Sequence, residues 1–193
     1  MFSGIIEKKA KILNIDNGNY TVDNIFNKIL KTGISIAHDG ACMTITESDS
    51  EKYSFFVMEE SIKRTNFKNK KTGDFFNIEG SLKLLDTMDG HFVSGHIDTT
   101  GEVVNIKENN DGSKYYNIKF SNKYSNLIID KGSITINGVS LTIVDDLGDQ
   151  LSVSIIPLTQ EITNIGDLKI SDTVNLEFDI LGKYINKLQL NRK

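Results

Sequence analysis

Apolar and polar residues alternate over short stretches of the chain, as at residues 34–38 and 133–137. Residues 54–58 and 151–156 are rich in aromatic and β-branched side chains. Alternation with a period of two is typical of half-buried β-strands, and β-branched and aromatic residues favour the same structure. Asp-Gly and Asn-Gly pairs, which form tight turns, separate the stretches. The pattern therefore predicts short antiparallel strands joined by turns.

The strand pattern occurs twice, because the chain carries an internal duplication. The block Phe2-Ser3-Gly4-Ile5-Ile6-Glu7 returns as Val93-Ser94-Gly95-His96-Ile97-Asp98. Three further blocks recur in the same order: 39–45 as 137–143, 61–66 as 159–164, and 74–79 as 172–177. Four blocks in one order predict two domains of roughly 90 residues, each a small antiparallel barrel. We place these domains at residues 1–88 and 89–180.

Two stretches in each half have the apolar spacing of a helix. Residues 24–30 and 124–129 occupy equivalent places, and so do residues 59–64 and 158–161. Pro157 precedes the last of them, and proline is favoured in the first turn of a helix because it has no N–H to leave unpaired. We therefore predict two short helical interruptions in each barrel.

The pattern changes after Asp179, and a helix is predicted over residues 181–193. Four apolar residues share one face of this helix: Leu181, Tyr184, Ile185 and Leu188. Three basic residues lie toward its C-terminal end, where positive charge stabilises a helix: Lys187, Arg192 and Lys193. Such a tail has little core of its own, so we predict that it forms an oligomer contact. Packing against the parent barrel is the alternative.

Composition narrows the class of protein. Of the 193 residues 38% are hydrophobic and 25% are charged, which is ordinary for a soluble globular protein. No apolar run approaches the roughly 20 residues of a membrane span, and the N-terminus lacks a signal-peptide pattern. The single cysteine, Cys42, fits a reducing cytoplasm. A net charge of −4 gives no electrostatic case for nucleic acid, and three histidines without a CxxC or HExxH motif argue against a metal.

The two copies differ at positions that bear reactive groups. His96 stands where the first copy has Ile5, and Cys42 stands where the second copy has Ser140. A histidine can act as an acid or base near neutral pH, and the alternative is a strand histidine satisfied by hydrogen bonds. A thiolate can add to an electrophilic ring carbon, whereas buried cysteines are usually inert packing. The difference indicates that the two copies have different tasks.

Hydroxyl and charged residues near these positions are further candidates. Ser140, Thr44 and Thr142 are interpreted either as hydroxyls that face a polar ligand or as ordinary strand residues. Lys131 and Asp179 are interpreted either as charged neighbours of a pocket or as solvated surface residues.

Two glycines and two histidines have a structural interpretation. Gly4 and Gly95 recur at the same place in both copies, and a glycine within a strand indicates that another backbone or a ligand approaches closely. His91 and His38 are predicted to be structural, since Ile136 stands at the position equivalent to His38.

Four segments are together specific for one known family. They are Met1-Phe2-Ser3-Gly4-Ile5-Ile6, Gly40-Ala41-Cys42-Met43-Thr44, Gly90-His91-Phe92-Val93-Ser94-Gly95-His96 and Asn137-Gly138-Val139-Ser140-Leu141-Thr142. In these segments and in its duplication the chain resembles riboflavin synthases of the α-chain type over essentially its whole length. The resemblance implies an all-β fold of two tandem six-stranded Greek-key β-barrels, with a short C-terminal helix that assembles a homotrimer.

The same resemblance implies an activity and its partners. The family converts two molecules of 6,7-dimethyl-8-ribityllumazine into riboflavin and 5-amino-6-ribitylaminouracil, the last step of riboflavin biosynthesis. It transfers a four-carbon unit without a cofactor or a metal. Two substrate molecules share each active site, which forms between the first barrel of one subunit and the second barrel of a neighbour. An association with a lumazine synthase is left open.

Site residues follow from the same resemblance. In the first half the implied substrate contacts are Gly4, Ile5, Ile6, Cys42, Met43, Thr44, Phe56, Val57, Met58, Glu59, Glu60 and Ser61. In the second half they are Gly95, His96, Ile97, Lys131, Ser140, Leu141, Thr142, Ser154, Ile155, Ile156, Pro157, Leu158 and Thr159. The implied catalytic group comprises His96 as proton-transfer partner, Ser140 and Thr142 as hydrogen-bonding and water-activating hydroxyls, Cys42 as nucleophile or ring contact, and Ser35 and Asp179 as supporting polar groups.

The chain departs from the family pattern at a few positions. Ser3 and Ser61 stand where threonine is common and keep the hydroxyl, whereas Leu158 replaces a frequent glutamate. Asn137 replaces an aspartate, which removes any carboxylate role there. The main rival interpretation is a lumazine-binding antenna protein, which shares the barrels and binds one lumazine or flavin without turnover. The intact polar residues of the second copy favour the synthase over this rival and over a purely structural barrel pair.

Overall fold

The computed structural model describes residues 1–190, which form two closed antiparallel barrels of six strands each. The first barrel contains β1 (Lys8–Asp16), β2 (Asn19–Asp23), β3 (Ser35–His38), β4 (Ala41–Ser48), β5 (Lys52–Phe56) and β6 (Phe75–Gly80). The second contains β7 (Thr99–Glu108), β8 (Lys114–Lys119), β9 (Ser133–Ile136), β10 (Val139–Asp146), β11 (Gln150–Ile155) and β12 (Thr173–Phe178). Three helices accompany them: α1 (Glu59–Arg64), α2 (Pro157–Ile162) and α3 (Ile180–Leu190).

Both barrels have the same strand order, so the duplication predicted from the sequence is present in the fold. The strands close in the order β1-β2-β5-β4-β3-β6 in the first barrel and β7-β8-β11-β10-β9-β12 in the second. Pairing of β2 with β5 and of β3 with β6 gives the Greek-key connection. The predicted all-β fold of two tandem six-stranded barrels with a C-terminal helix is therefore confirmed. The domain boundary at residues 88 and 89 stays a prediction.

The two barrel cores are built from different residues on the same frame. The first is rich in buried aromatic side chains, among them Tyr20, Phe55 and Phe76, whose rings pack against one another. The second is largely aliphatic, as at Ile118 and Val153. Inward-facing residues alternate with outward-facing ones along the strands, as the barrel geometry requires.

The segments that precede the two barrels cross over to the opposite barrel. Phe2 and Val93 form an antiparallel bridge, with backbone hydrogen bonds of 2.9 and 3.1 Å. Beyond this bridge Ile6 is part of the core of the second barrel, and Ile97 packs against the core of the first. We call residues 2–6 and 93–97 the crossing segments. Each barrel therefore packs against the crossing segment that precedes the other barrel, and this exchange of segments holds the two barrels together.

A polar layer is buried between the barrels. The carboxylate of Asp39 accepts hydrogen bonds from the side chains of Asn66 (3.0 Å) and Asn164 (2.7 Å) and pairs with Lys70 at 2.7 Å. Asn137, at the equivalent position, donates to the side-chain oxygen of Asn164 and accepts from Asn66, each at 3.2 Å. Because Asp39 has no amide group, the side-chain oxygen of Asn66 has no hydrogen-bond partner in the part of the chain that the structure describes. The layer thus carries one carboxylate, balanced by one ammonium group.

Three of the four predicted helical interruptions are present. Residues 59–64 form α1, Pro157–Ile162 forms α2, and Asn122–Leu127 forms a 3₁₀ helix. The helix predicted over residues 24–30 is wrong, since this stretch is a loop. The side chain of Asn24 donates to the backbone oxygens of Lys28 and Asp49 and accepts from the N–H of Phe26. An asparagine that bonds the backbone in this way favours a turn over a helix.

Helix α3 matches the predicted tail as far as residue 190, whereas Arg192 and Lys193 lie outside the described residues. Its predicted apolar face is exposed in the single chain at Leu181, Tyr184, Ile185 and Leu188. An ion pair between Lys183 and Asp98 anchors the start of the helix to the second barrel. No helix within residues 1–190 is both long and apolar enough to cross a membrane.

Candidate functional site

In each barrel one pair of neighbouring strands separates before both reach their ends. Pairing of β4 with β5 begins at Ile45 and Phe55, and residues 41–44 of β4 pair with β3 on their other side. The same separation occurs between β10 and β11, where pairing begins at Ile143 and Val153. Each separation leaves a strand edge with backbone groups that another segment or a ligand can bind.

A crossing segment occupies part of each separation. The N–H of Cys42 donates to the carbonyl oxygen of Gly95 at 2.8 Å, and the N–H of Ser140 donates to that of Gly4 at 2.7 Å. A Cβ atom at Gly95 would lie 2.6 Å from Cβ of Cys42, and one at Gly4 would lie 2.6 Å from Cβ of Ser140. Both glycines also have positive φ, +83° and +80°, which favours glycine. The close backbone approach expected for these glycines is present, and its partner is the opposite barrel.

The structure therefore regroups the predicted ligand contacts into two grooves. The cysteine groove is bordered by residues 42–44, 56–61 and 95–97. The serine groove is bordered by residues 140–142, 154–159 and 4–6. The predicted ligand contacts follow the order of the sequence, whereas the Phe2–Val93 bridge directs each crossing segment into the other barrel.

Backbone hydrogen-bonding groups line one side of each groove. Because the N–H of Cys42 points away from β3 and toward the groove, the alternation of a strand directs the N–H and C=O of Thr44 the same way. The same argument, made from Ser140, applies to Thr142. The side chains of both threonines are exposed. Each groove thus presents a donor, an acceptor and a hydroxyl in one row.

The segments on the other side of each groove carry exposed apolar side chains. In the cysteine groove these are Phe56 and Met58, with 52% and 64% of their surfaces accessible. In the serine groove they are Ile156 and Leu158, at 57% and 60%. Exposed apolar side chains clustered beside polar backbone groups are typical of a ligand-binding groove. The arrangement suits a flat ring with polar atoms on one edge.

The two predicted catalytic residues His96 and Ser140 lie in different grooves of one chain. His96 is exposed and belongs to the crossing segment in the cysteine groove, beside Gly95 and Cys42. The histidine that contacts Ser140 is His91, whose Nδ1 lies 2.8 Å from the serine Oγ. Within residues 1–190 of a single chain no hydrogen bond joins His96 to Ser140. The sequence predicts a structural role for His91 and does not place it beside Ser140.

Asp179 lies close to His91. Burial lowers the pKa of the His91 imidazole, and the charge of Asp179 opposes that shift. Asp179 also accepts a hydrogen bond from the N–H of Leu181 at 2.9 Å and so begins helix α3. The structure thus gathers Ser140, His91 and Asp179 at the serine groove.

Two further predicted residues lie on or near β3 and β9, the strands that pair with β4 and β10. Ser35 of β3 is paired with Thr44 of β4, on the side of β4 opposite to the cysteine groove, and borders the same cleft as Ile5. Lys131 has a left-handed backbone (φ 63°), and its ammonium donates to the carbonyl of Val144 at 3.2 Å. Lys131 is exposed, so its charge is available to solvent.

Two buried glutamates that the sequence analysis did not single out hold the crossing segments. Glu79 accepts from the N–H and hydroxyl of Ser3 and from the N–H of Gly4. Glu177 makes the same three contacts with Ser94 and Gly95. The sequence feature that could have identified them is that each glutamate ends one of the repeated blocks, 74–79 and 172–177.

Two clefts of the described residues are not lined by the exposed apolar residues that the grooves carry near the starts of α1 and α2. A cleft of about 720 Å³ borders Ile5 and Ser35, and one of about 550 Å³ lies beside the polar layer at Asn66 and Asn137. Within the described residues no three His, Cys, Asp or Glu side chains are arranged to hold a metal ion.

The duplicated barrels correspond to a known family of domains. The Lumazine binding domain family matches residues 3–81 and again residues 94–179, one match for each barrel. Solved structures of LumP have the same fold. Its complex with riboflavin aligns with a TM-score of 0.84 at 22% identity, over 92% of this chain and 99% of that one. Its complex with 6,7-dimethyl-8-(1'-D-ribityl) lumazine aligns with a TM-score of 0.81.

Comparison with curated relatives shows which branch of this family the chain resembles. The riboflavin synthase of Actinobacillus pleuropneumoniae is 43% identical over 197 aligned positions, covering 100% of this chain and 91% of that protein. Those of Escherichia coli and Bacillus subtilis are 36% and 35% identical, over 93% and 96% of this chain and 87% and 88% of theirs. The chain belongs to the riboflavin synthase family, as its motifs indicated. The antenna alternative is not favoured, since these relatives, matched over nearly the full chain, are riboflavin synthases.

Proposed function

We propose that the chain is a riboflavin synthase that transfers a four-carbon unit between two molecules of 6,7-dimethyl-8-ribityllumazine. The observation that carries this proposal is the presence of two matched grooves that bear different reactive side chains, Cys42 in one and Ser140 in the other. A dismutation needs exactly two copies of one substrate, held in two distinct roles. The atoms of two substrates equal those of the two products, so no co-reactant is required.

The grooves fit the shape and polarity of the substrate. The pyrimidine edge of a lumazine carries ring N–H and carbonyl groups, and these complement the backbone row at Thr44 and at Thr142. The dimethyl-substituted part of the ring is apolar and faces Phe56 and Met58 in one groove, or Ile156 and Leu158 in the other. Because the two grooves are equivalent, a substrate molecule in either groove would bind in the same orientation. The same atoms of each substrate would then lie on the open side of its groove.

The reaction is proposed to take place between two subunits. Gly4 and Gly95 each lie two residues beyond the antiparallel Phe2–Val93 bridge, on opposite sides of it. At about 3.3 Å per residue this separates them by roughly 13 Å along the segments, too far for ligands in the two grooves of one chain to react. A serine groove of one subunit that faces a cysteine groove of another brings His96 and Ser140 together.

Each residue in the joined site then has a role. The C7 methyl group of the substrate is acidic because its anion delocalises into the ring, so a weak base is sufficient. His96 accepts this proton, while the hydroxyls of Ser140 and Thr142 orient the substrate and the attacking water. Cys42 contacts the second ring, and Ser35 and Asp179 support the polar groups. Orientation of two bound rings supplies much of the rate enhancement, a contribution worth up to about 7–11 kcal/mol.

The subunits assemble through helix α3, and a homotrimer is the proposed state. Its exposed apolar face borders a cleft of about 510 Å³ next to residues 126–129. Deleting residues 183–193 removes most of this face, leaving only Leu181, and is expected to lower the mass measured by light scattering. Leu188→Glu gives the same result without shortening the chain, whereas Lys187→Glu, away from the apolar face, leaves the mass unchanged. An unchanged mass in the first two variants contradicts the role of α3. A cytoplasmic location and an association with a lumazine synthase remain predictions.

Ligand stoichiometry separates the synthase from a binding protein. Titration with riboflavin, followed by the quenching of its fluorescence, is expected to reveal two binding sites per chain, one for each groove. One site per chain, without conversion of the lumazine, would indicate the antenna class and would refute the proposal.

A further inference from the structure

Each crossing segment is fixed by one buried carboxylate of the barrel that follows it in sequence. The carboxylate of Glu177 accepts hydrogen bonds from the N–H of Ser94 (2.7 Å), its hydroxyl (2.6 Å) and the N–H of Gly95 (3.0 Å). Glu177 lies on β12, where it is paired with Thr135 of β9, and only 2% of its surface is accessible. A charged acceptor with three donors on a closed barrel is a rigid anchor.

The first half repeats this arrangement in detail. Glu79 lies on β6, paired with Ala37 of β3, and accepts from the N–H of Ser3 (2.6 Å), its hydroxyl (2.8 Å) and the N–H of Gly4 (2.9 Å). Burial raises the pKa of Glu79, and the hydrogen bonds from Ser3 and Gly4 oppose that shift. Among residues 1–190 neither glutamate takes part in an ion pair, so both carboxylates are held by the crossing segments and not by a basic side chain.

The donors of these hydrogen bonds stand next to the groove residues. His96 follows Gly95 directly, and its own N–H lies 3.2 Å from the hydroxyl of Ser94, which is the same hydroxyl that Glu177 binds. The carbonyl of Gly95 then receives the N–H of Cys42. Glu177, Ser94, Gly95 and Cys42 therefore form one continuous chain of hydrogen bonds and covalent links into the cysteine groove. Glu79 begins the equivalent chain, which passes through Ser3 and Gly4 to Ser140.

We propose that Glu177 and Glu79 are positioning residues, each dedicated to one ligand groove. Glu177 sets the position of His96 and hence the binding and proton transfer in the cysteine groove. Glu79 sets the position of Ile5 and hence binding in the serine groove. This inference rests on the proposed function. It adds that each groove is controlled by a carboxylate from the same half of the sequence as its crossing segment, although the groove belongs to the opposite barrel.

The test replaces one glutamate at a time by glutamine. Glutamine keeps the shape but offers one oxygen and an NH₂ group, and that NH₂ group meets a backbone N–H. Losing one or two charge-assisted hydrogen bonds predicts about 10- to 100-fold weaker riboflavin binding at a single site, with the other site unchanged. Glu161→Gln, an exposed glutamate, is the matched control. Ser94→Ala and Ser3→Ala remove only the hydroxyl contact and predict smaller losses at the same sites, and they remain informative if a glutamine variant does not fold.

Blocking variants identify which groove each glutamate controls. Phe56→Glu blocks the cysteine groove and Ile156→Glu blocks the serine groove, both at exposed positions. Glu177→Gln is expected to weaken the remaining binding about 10- to 100-fold in the Ile156→Glu background and to add nothing in the Phe56→Glu background. Glu79→Gln is expected to do the reverse. Folded variants in which both sites weaken equally, or neither weakens, overturn the inference. Failure of the unmodified protein to bind two ligands would instead refute the proposed function.

Discussion

The carbonyl oxygen of Gly95 accepts a hydrogen bond from the N–H of Cys42 at 2.8 Å, although the two residues belong to different halves of the chain. The contact is so close that a single methyl group at Gly95 would overlap the side chain of Cys42. The equivalent contact joins the N–H of Ser140, in the second half of the chain, to the carbonyl oxygen of Gly4, in the first half. Each ligand groove is therefore made by both halves, and neither barrel completes a groove alone.

Gly95→Ala is expected to damage the cysteine groove. The added Cβ would lie 2.6 Å from Cβ of Cys42 and would also be strained by the positive φ of +83°. Strain of about 1–2 kcal/mol and overpacking of about 1–3 kcal/mol predict a lower free energy of unfolding together with loss of one riboflavin site. Gly148→Ala is the control, since its φ is +84° and no atom lies within 4 Å of the added Cβ. Equal effects of the two substitutions, measured by thermal unfolding and titration, would exclude the steric contact as the cause.

His96→Gln is expected to reduce turnover far more than ligand binding. Glutamine fills the exposed position in the cysteine groove but cannot exchange a proton near neutral pH, so kcat is expected to fall by about 10²- to 10⁴-fold. The riboflavin dissociation constant should change by less than about tenfold. Steady-state kinetics and fluorescence titration measure the two quantities separately. Parallel losses of binding and turnover would show that His96 only shapes the groove.

The sequence predicts the barrels well because their determinants are local and repeated. Strand alternation at residues 34–38 and the recurring blocks identify the elements and their duplication. The loop at residues 24–30 was missed because the decisive bonds run from Asn24 to Asp49, across the barrel. The exchange of the crossing segments between the barrels was not predicted, for a related reason. Motif spacing places Gly4 and Cys42 in one copy, whereas the exchange of crossing segments depends on the Phe2–Val93 bridge, which no local pattern reveals.

Asn137→Asp is expected to destabilise the polar layer between the barrels. It would add a second carboxylate beside Asp39, and Lys70, which balances Asp39, has the apolar Leu168 as its equivalent in the second half. The substitution also removes the amide group that donates to Asn164. We expect a loss of about 2–4 kcal/mol in the free energy of unfolding.

The pH dependence of this variant provides an internal check. Repulsion raises the pKa of the new carboxyl group in the folded state above its unfolded value, so its destabilising effect grows as pH rises and disappears on protonation. Denaturant unfolding at pH 5 and pH 8 should show a larger difference from the unmodified protein at pH 8. A difference that does not depend on pH would indicate that charge repulsion is not responsible.

His38 is expected to limit stability in acid. Its ring is fully buried, with Nδ1 3.2 Å from the carbonyl of Ile36 and Nε2 2.8 Å from the hydroxyl of Tyr53. Since a carbonyl only accepts, Nδ1 carries the proton and Nε2 accepts from Tyr53. Burial lowers the pKa of His38 to about 3.

The sign of the effect follows from that pKa. Because the folded pKa is below the unfolded value of about 6.5, the unfolded state binds the proton first as pH falls. Stability is then lost between about pH 6.5 and pH 3, by up to roughly 4–5 kcal/mol. His38→Gln has no such titration, so its unfolding free energy should fall less steeply across this window. Identical slopes for the two proteins would show that other groups cause the acid sensitivity.

The most direct test of the central claim is to incubate the purified protein with 6,7-dimethyl-8-ribityllumazine alone, without a cofactor or metal, and to follow both compounds. Two substrate molecules in two unlike grooves predict sustained turnover, with riboflavin formed at half the rate at which the lumazine disappears. Tight binding of the lumazine with no riboflavin formed would contradict the account.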